Sequence, residues 1–199
     1  MSYSQNDEEA HILALFNGKP PGRLLDVGAY TGKEFSNSLA LIERGWEGVL
    51  VEPNPNSLVA LIALHGKNPR VKIVGGLITP QTRLTEFYTC DDAVSTTNKA
   101  FTPMWENIGV KFNPIWLPGV TPEALATFTG DVDFITIDVE DGTLDVVDGL
   151  ASLIAKASVI CVEHSVGTNV IKTELRDRFI NAWGFRLVHE TPENYIFSR

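Results

Sequence analysis

Leu24-Leu25-Asp26-Val27-Gly28-Ala29-Tyr30-Thr31-Gly32, followed at Gly48 by Gly48-Val49-Leu50-Val51-Glu52-Pro53, is the stretch whose reading decides the fold. Arg23 to Val27 reads as a buried strand, after which glycines let the backbone turn sharply and come close to a ligand. A helix is expected from Lys33 to Arg44, closed at Gly45, where a left-handed cap costs little. The next strand, Val49 to Val51, delivers a carboxylate at its carboxyl end. Glu52 follows Gly28 at roughly the 20-residue offset at which an acid grips a ribose. Together these segments describe a nucleoside-binding βαβ unit.

The glycine spacing narrows the ligand. A dinucleotide site needs G-x-G-x-x-G so that the backbone can approach a pyrophosphate. Here Ala29 and Tyr30 stand where the second glycine belongs, in Asp26-x-Gly28-x-x-x-Gly32. That spacing suits a smaller ligand without a pyrophosphate, and it counts against a nicotinamide-dependent oxidoreductase, the rival enzyme class that would use the same fold.

The rest of the chain alternates strand and helix, the pattern of a mostly parallel sheet. A short amphipathic helix over Asp7 to Phe16 opens it, so residues 1–21 form an N-terminal helix and linker. Asn54 caps a helix with Pro55 in its first turn, running to Gly66. Further strands are expected at Val71–Val74, Leu84–Tyr88, Phe134–Asp138, Val159–Val162, Phe185–Val188 and Tyr195–Phe197, and further helices at Thr143–Leu153 and Thr173–Trp183. Residues 91–130 carry one convincing helix, from Thr121, among Phe101, Trp105, Phe112 and Trp116. A segment this long is more than a connection, and it reads as a lid over a substrate. Trp116 reads equally as cover for the sheet edge or as a binding residue. Ser95 and Thr96, with Thr97, are the most polar point of the insert and are candidate substrate contacts.

Ligands of open α/β sheets bind beyond the carboxyl ends of the strands. Asp138 and Glu140 end one strand there, and Glu163 and His164 end the next, so four ionisable groups are expected at one cleft.

Composition fits one enzyme domain spanning residues 1–199. The chain is 44% hydrophobic, enough for one good core, and its formal net charge of −9 offers no attraction to a nucleic-acid backbone. Cys90 and Cys161 have no C-x-x-C spacing and read as free thiols. Without a basic leader or an apolar run of about 20 residues, the sequence predicts a cytoplasmic protein with no membrane partner.

The blocks D-V-G-A-x-x-G at Asp26, G-W-x-G-x-x-V-E-P-N-P at Gly45 to Pro55, D-F-x-x-I-D-V-E at Asp133 to Glu140 and V-I-C-V-E-H at Val159 to His164, with Gly184-Phe185 and Asn194-Tyr195-Ile196, resemble the FkbM family of S-adenosylmethionine (SAM)-dependent methyltransferases. The resemblance implies a Rossmann-like class I methyltransferase fold: a seven-stranded, mostly parallel sheet flanked by helices, with an insert before the fourth strand. It implies SAM as cofactor, with Asp26 and Gly28 setting the turn around its amino-acid part, Glu52 on the ribose hydroxyls, Asn54 near the adenosine, and Tyr30, Thr31, Gly32 and Pro53 also in the cofactor site. Leu77 would lie against the adenine. The acceptor would be a hydroxyl of a small molecule or carbohydrate, with His164 as general base and Asp138 orienting the acceptor or the SAM ammonium. The carboxylates could hold a divalent ion, although no metal is indicated by their spacing. The family usually places an acid three residues after Glu140, where this chain has Thr143. That departure keeps a non-catalytic SAM-binding module open as an alternative.

Overall fold

Nearly continuous buried runs at 24–27, 48–52, 134–137 and 159–163 are the mark of central strands covered by helices on both faces. In the computed structural model, which describes residues 2–140, 142–166, 169, 170 and 172–199, these runs form β1 (Arg23–Val27), β2 (Glu47–Glu52), β7 (Phe134–Ile137) and β8 (Val159–Glu163). With β3 (Val71–Gly75), β11 (Arg186–Glu190) and β12 (Asn194–Ser198) they make a seven-stranded sheet in the order β11-β12-β8-β7-β1-β2-β3. The pairs from β3 through β8 are parallel, and β12 runs antiparallel between β8 and β11. The chain starts in the middle, steps outward to β3 and returns to the other side of β1. The strand order therefore reverses between β1 and β7, which opens a crevice at their carboxyl ends.

Two apolar clusters cover the sheet. On one face α1 (Glu8–Leu15) places Ile12, and α2 (Leu39–Glu43) places Leu41 and Ile42, against Leu24, Leu50 and Phe134. On the other, Val146 and Val147 of α6 (Thr143–Gly149), Leu153 and Ile154 of α7 (Ala151–Ile154) and Leu175 of α8 (Lys172–Asp177) pack on Leu25, Val49 and Ile135. A five-residue π-helical stretch, Arg178–Ala182, continues α8 and buries Phe179. In α3 (Pro55–His65), Asn54 accepts from the Asn56 N–H with Pro55 in the first turn, as its sequence requires. Two short strands, β9 (Ser165–Val166) and β10 (Asn169–Val170), pair antiparallel after β8. Among the described residues no helix is long and apolar enough to cross a membrane.

Three expectations need correction. The helix over Lys33–Arg44 begins only at Leu39, because Phe35 takes a positive φ of 58° and the Ser36 hydroxyl accepts from the Ser38 and Leu39 N–H groups. Residues 91–130, expected to hold one helix, also carry a strand that pairs with the additional strand expected at Leu84–Tyr88, here β5 (Leu84–Thr89), outside the main sheet. β5 pairs antiparallel with β6 (Asn113–Val120), which also pairs parallel with β4 (Leu77–Ile78). The eight residues of β6, Asn-Pro-Ile-Trp-Leu-Pro-Gly-Val, form a strand although two prolines argue against one. The insert is thus a small sheet with a 3₁₀ turn (Lys99–Phe101), α4 (Thr102–Glu106) and α5 (Pro122–Thr129). Finally, Thr143–Leu153 is two helices that part at Leu150, with Gly149 close against Pro122 of α5.

Residues ahead of β1 are tied to the far end of the chain. Glu8, at 0% exposure, accepts from the Asn6 backbone and side chain, from Thr191 Oγ1 at 2.8 Å and from Asn194 Nδ2 at 3.2 Å. Burial alone would raise its carboxyl, but hydrogen bonds from Asn6, from its own backbone and from Thr191 outweigh that and hold it below its ordinary value. Glu8→Ala strands these buried donors and should cost on the order of 1–3 kcal/mol in urea unfolding. An unchanged midpoint would mean that the terminal segment contributes nothing to the fold.

Candidate active site

Where β1 ends, the N–H groups of Gly28 and Ala29 both donate to the Val51 carbonyl at 3.0 Å, which locks the first turn to β2. Gly28 has φ +87°, and a Cβ there would lie 1.7 Å from the Asp138 carbonyl oxygen. Only glycine lets the segment after β7 pass so close. Tyr30 also sits in the left-handed region, at φ 50°, and its N–H donates to Glu52 Oε2 at 2.8 Å. Glu52 Oε1 accepts from the Asn54 N–H at 2.6 Å. One carboxylate therefore ties the turn after β1 to the turn after β2. Burial lifts its pKa to about 7, against the opposing pull of those N–H groups.

Asn54 then joins this pair to the insert. Its Nδ2 donates to the Cys90 carbonyl at 2.8 Å and to Ser95 Oγ at 3.0 Å, and its Oδ1 accepts from Thr89 Oγ1 at 3.0 Å. Cys90 and Cys161 are free and buried.

Further acids gather beside β1. Asp26 is buried, accepts from Ser38 Oγ at 2.6 Å, and is pushed by burial to about 7. Burial likewise raises Asp138 to about 6 and Glu140 to about 8. Glu163 is raised well above its ordinary value, first by burial and then by the Asp138 charge, so it is the member of that pair that holds the proton. Its Oε2 is buried and has no hydrogen-bond partner among the described residues.

These groups line one cavity of about 1180 Å³ at the switch point. That exceeds the 300–1,000 Å³ typical of a single small-molecule pocket and leaves room for two ligands. Of the residues expected at a cofactor, Asp26, Gly28, Tyr30, Glu52, Pro53, Asn54, Leu77 and Asp138 line it, as do Ser95, Thr96, Glu140 and Glu163. Residues 34–37, freed from the expected helix, form a further wall, and Gln5, Arg83, Met104, Ile108 and Glu193 were not foreseen. Arg83 is the one cationic side chain among the described lining residues, which are otherwise rich in acids.

Several expected residues lie elsewhere. Thr31 turns its hydroxyl back to accept from the Glu34 N–H, and Gly32 is a packing glycine whose Cβ would meet Leu61 of α3 at 2.5 Å. His164 follows Glu163, and side chains alternate along a strand, so one faces the cavity and the other does not. The His164 ring is fully buried, with Nε2 3.2 Å from the Thr191 carbonyl oxygen and its centroid 4.3 Å from that of Tyr195. Trp105 lines the cavity, whereas Phe112 does not. Trp116, 64% exposed, is neither core nor cavity wall. Thr143 is buried, with its hydroxyl 3.3 Å from the Val139 carbonyl oxygen, so the departure from the family pattern falls outside the cavity. Asp141 lies outside the described residues.

The domain description "Methyltransferase FkbM domain" matches residues 26–187, most of the chain and nearly all of the cavity wall. The protein belongs to the FkbM methyltransferase family. Membership carries methyl transfer, and SAM as its source, with it. No curated protein matches the sequence. Solved structures of similar fold include the C-terminal domain of precorrin-6Y C5,15-methyltransferase from Rhodobacter capsulatus, 14% identical, covering 96% of this chain and 86% of that one, with a TM-score of 0.52. Another is the fibrillarin pre-rRNA processing protein of Methanococcus jannaschii, 16% identical, covering 97% and 76%, also at 0.52. At such identities the likeness is one of fold, and the fold of this FkbM protein is that of the class I methyltransferases.

Buried acids with raised pKa values give the ligand-free protein an unusual pH dependence. The unfolded chain loses these protons near pH 4, whereas Asp26 and Glu52 keep theirs to about 7 and Glu140 to about 8. Stability should therefore fall as pH rises from about 4.5 to about 8. Glu52→Gln should flatten part of that fall in Tm. A ligand-free protein whose Tm climbs across this window would show that the acids are ionised and solvated.

Proposed function

We propose that this protein transfers a methyl group from SAM to a hydroxyl oxygen of a small molecule or sugar. The observation that carries the reading is the junction of the Gly28 turn with Glu52, inside a cavity whose charged lining residues are acids apart from Arg83 and which is large enough for cofactor and acceptor together. When bound, SAM supplies an electrophilic methyl on a positively charged sulfur, and acids around the cavity complement that charge and the nearby ammonium. Gly28 lets the segment after β7 close against the first turn, which brings Asp138 to the cavity wall beside the turn that would hold the amino-acid part. Glu52 and Asn54 would hold the ribose edge, with Leu77 and Pro53 against the base.

The chain's remaining task is to bring an acceptor hydroxyl into line and take its proton. His164 is too deeply buried against Thr191 and Tyr195 to do so. We assign the role to Asp138, which at about 6 is ionised near neutrality, with Glu163 beside it as a proton holder and hydrogen-bond donor. The insert 91–130 supplies Trp105, Met104 and Ile108 to the opposite wall and would act as the acceptor-selecting lid.

The direct test incubates the protein with methyl-labelled SAM and a panel of hydroxylated small molecules and sugars, and follows the label by mass spectrometry. Label on an acceptor oxygen supports the reading. Label on carbon or nitrogen, or SAM binding without any product, would replace it. With an acceptor in hand, Asp138→Asn should lower kcat by about 10²–10⁴ while SAM still binds, and should remove the acidic limb of the pH profile. Intact activity would move proton removal elsewhere. Trp105→Ala should raise the acceptor KM more than the SAM Kd, and an equal loss of both would make the insert part of the cofactor site.

A further inference from the structure

Away from the cavity, Asp7, His11 and His189 bring their ligand atoms within 4.8 Å of one another, one on the residue before α1, one on α1 and one on β11. His189 Nε2 lies 2.9 Å from Asp7 Oδ1, and His11 Nε2 lies 3.4 Å from Asp7 Oδ2. The imidazoles stack with centroids 3.6 Å apart and planes 17° from parallel, so both Nε2 atoms turn toward the same carboxylate.

A local defect in the sheet makes this meeting possible. Leu187 pairs with Phe197, and an unbroken antiparallel register would set His189 opposite Tyr195, on the same face. A bulge between Leu187 and His189 instead places His189 opposite Ile196. Phe197 belongs to the cluster on the α6 face, and Ile196 to the cluster that contains Ile12 of α1. The bulge therefore turns the His189 ring through the sheet to the side where α1 lies, as bulges do when they re-aim a side chain. Asp7 and His11 are four residues apart, the spacing that stacks two side chains on one flank of a helix end.

We propose that Asp7, His11 and His189 form a binding site for a divalent transition-metal ion of the zinc class, which clips α1 to the β11 edge. Zinc takes imidazole nitrogen and carboxylate oxygen at about 2.0–2.2 Å in tetrahedral geometry, which sets ligand atoms roughly 3.4 Å apart. Two imidazoles and one carboxylate favour zinc, copper or nickel over calcium or magnesium, which prefer oxygen alone. The fourth position faces solvent, since the Asp7 and His11 side chains are 59% and 38% exposed.

The clip reaches the active site through one residue. Asn6, next to Asp7, donates from Nδ2 to Glu193 Oε2 at 2.7 Å, and Glu193 and Gln5 both line the cavity. Metal at the clip would brace that rim from outside without touching the reacting groups.

The test titrates Co²⁺ and Zn²⁺ into the intact, chelator-treated protein. One Co²⁺ per chain with the visible absorption of a tetrahedral site, displaced by Zn²⁺, is expected, and Zn²⁺ should raise Tm by mass action. His11→Ala and His189→Ala should each weaken binding by more than about tenfold, and His189→Cys should restore it, because thiolate is a zinc ligand. Imidazole nitrogen spectra of the unaltered protein should shift for two of its four histidines on adding Zn²⁺, a readout that needs no variant. Absence of saturable one-to-one binding would overturn the site. Binding that survives His11→Ala with His189→Ala would also overturn it, by moving the ion to the cavity acids.

Discussion

The carboxylate of Glu52 is buried, yet both its oxygens accept backbone N–H groups, from Tyr30 on one side and Asn54 on the other. A buried ionised group without partners costs several kcal/mol, so these bonds decide whether the acid is tolerable at all. They also fix geometry. Tyr30 is held at a positive φ that a tyrosine seldom adopts, and Asn54 is oriented to cap α3 and reach Cys90 and Ser95. The turn after β1, the turn after β2 and the start of the insert are thereby positioned by one side chain. Remove it and three walls of the cavity lose their common reference.

The same cavity concentrates acids that a fold optimised for stability alone would avoid. Asp26, Glu52, Asp138, Glu140 and Glu163 are all raised by burial, and several are raised further by one another. Such clustering is how functional sites depart from the consistency of the surrounding fold. A cationic ligand would relieve it: the positive charge of a sulfonium and an ammonium would replace protons that the ligand-free site holds. On the proposed reading, destabilisation of the ligand-free state and affinity for SAM have one electrostatic origin.

Much of this was legible in the sequence, because the signals were local. The limits of β1, the Asn54-Pro55 helix start, the glycine at the β1 turn and the acid at the end of β2 each follow from residue chemistry over a few positions. What escaped depends on distant contacts. Residues 34–37, expected inside a helix, are drawn into the cavity wall with Phe35 left-handed. The prolines of β6 hide a strand that two partners nevertheless pair. Gly32 and Thr31 occupy motif positions but serve α3 and the local turn. His164 follows β8 directly, but Glu163 takes the cavity side and the imidazole turns into the interior. Glu8, bonded to Thr191 and Asn194, and the His11–His189 pair join opposite ends of the chain, and nothing in a linear pattern announces such a meeting.

The central claim, that buried protonated carboxyls form the site of a cationic cofactor, is tested most directly by calorimetric titration of SAM at pH 7 in buffers of different ionisation enthalpy. The account predicts binding with net proton release, reduced in Glu52→Gln and in Glu140→Gln, because the ligand's charge lowers the raised pKa values of those acids. Binding that releases no protons, or takes them up, would contradict it.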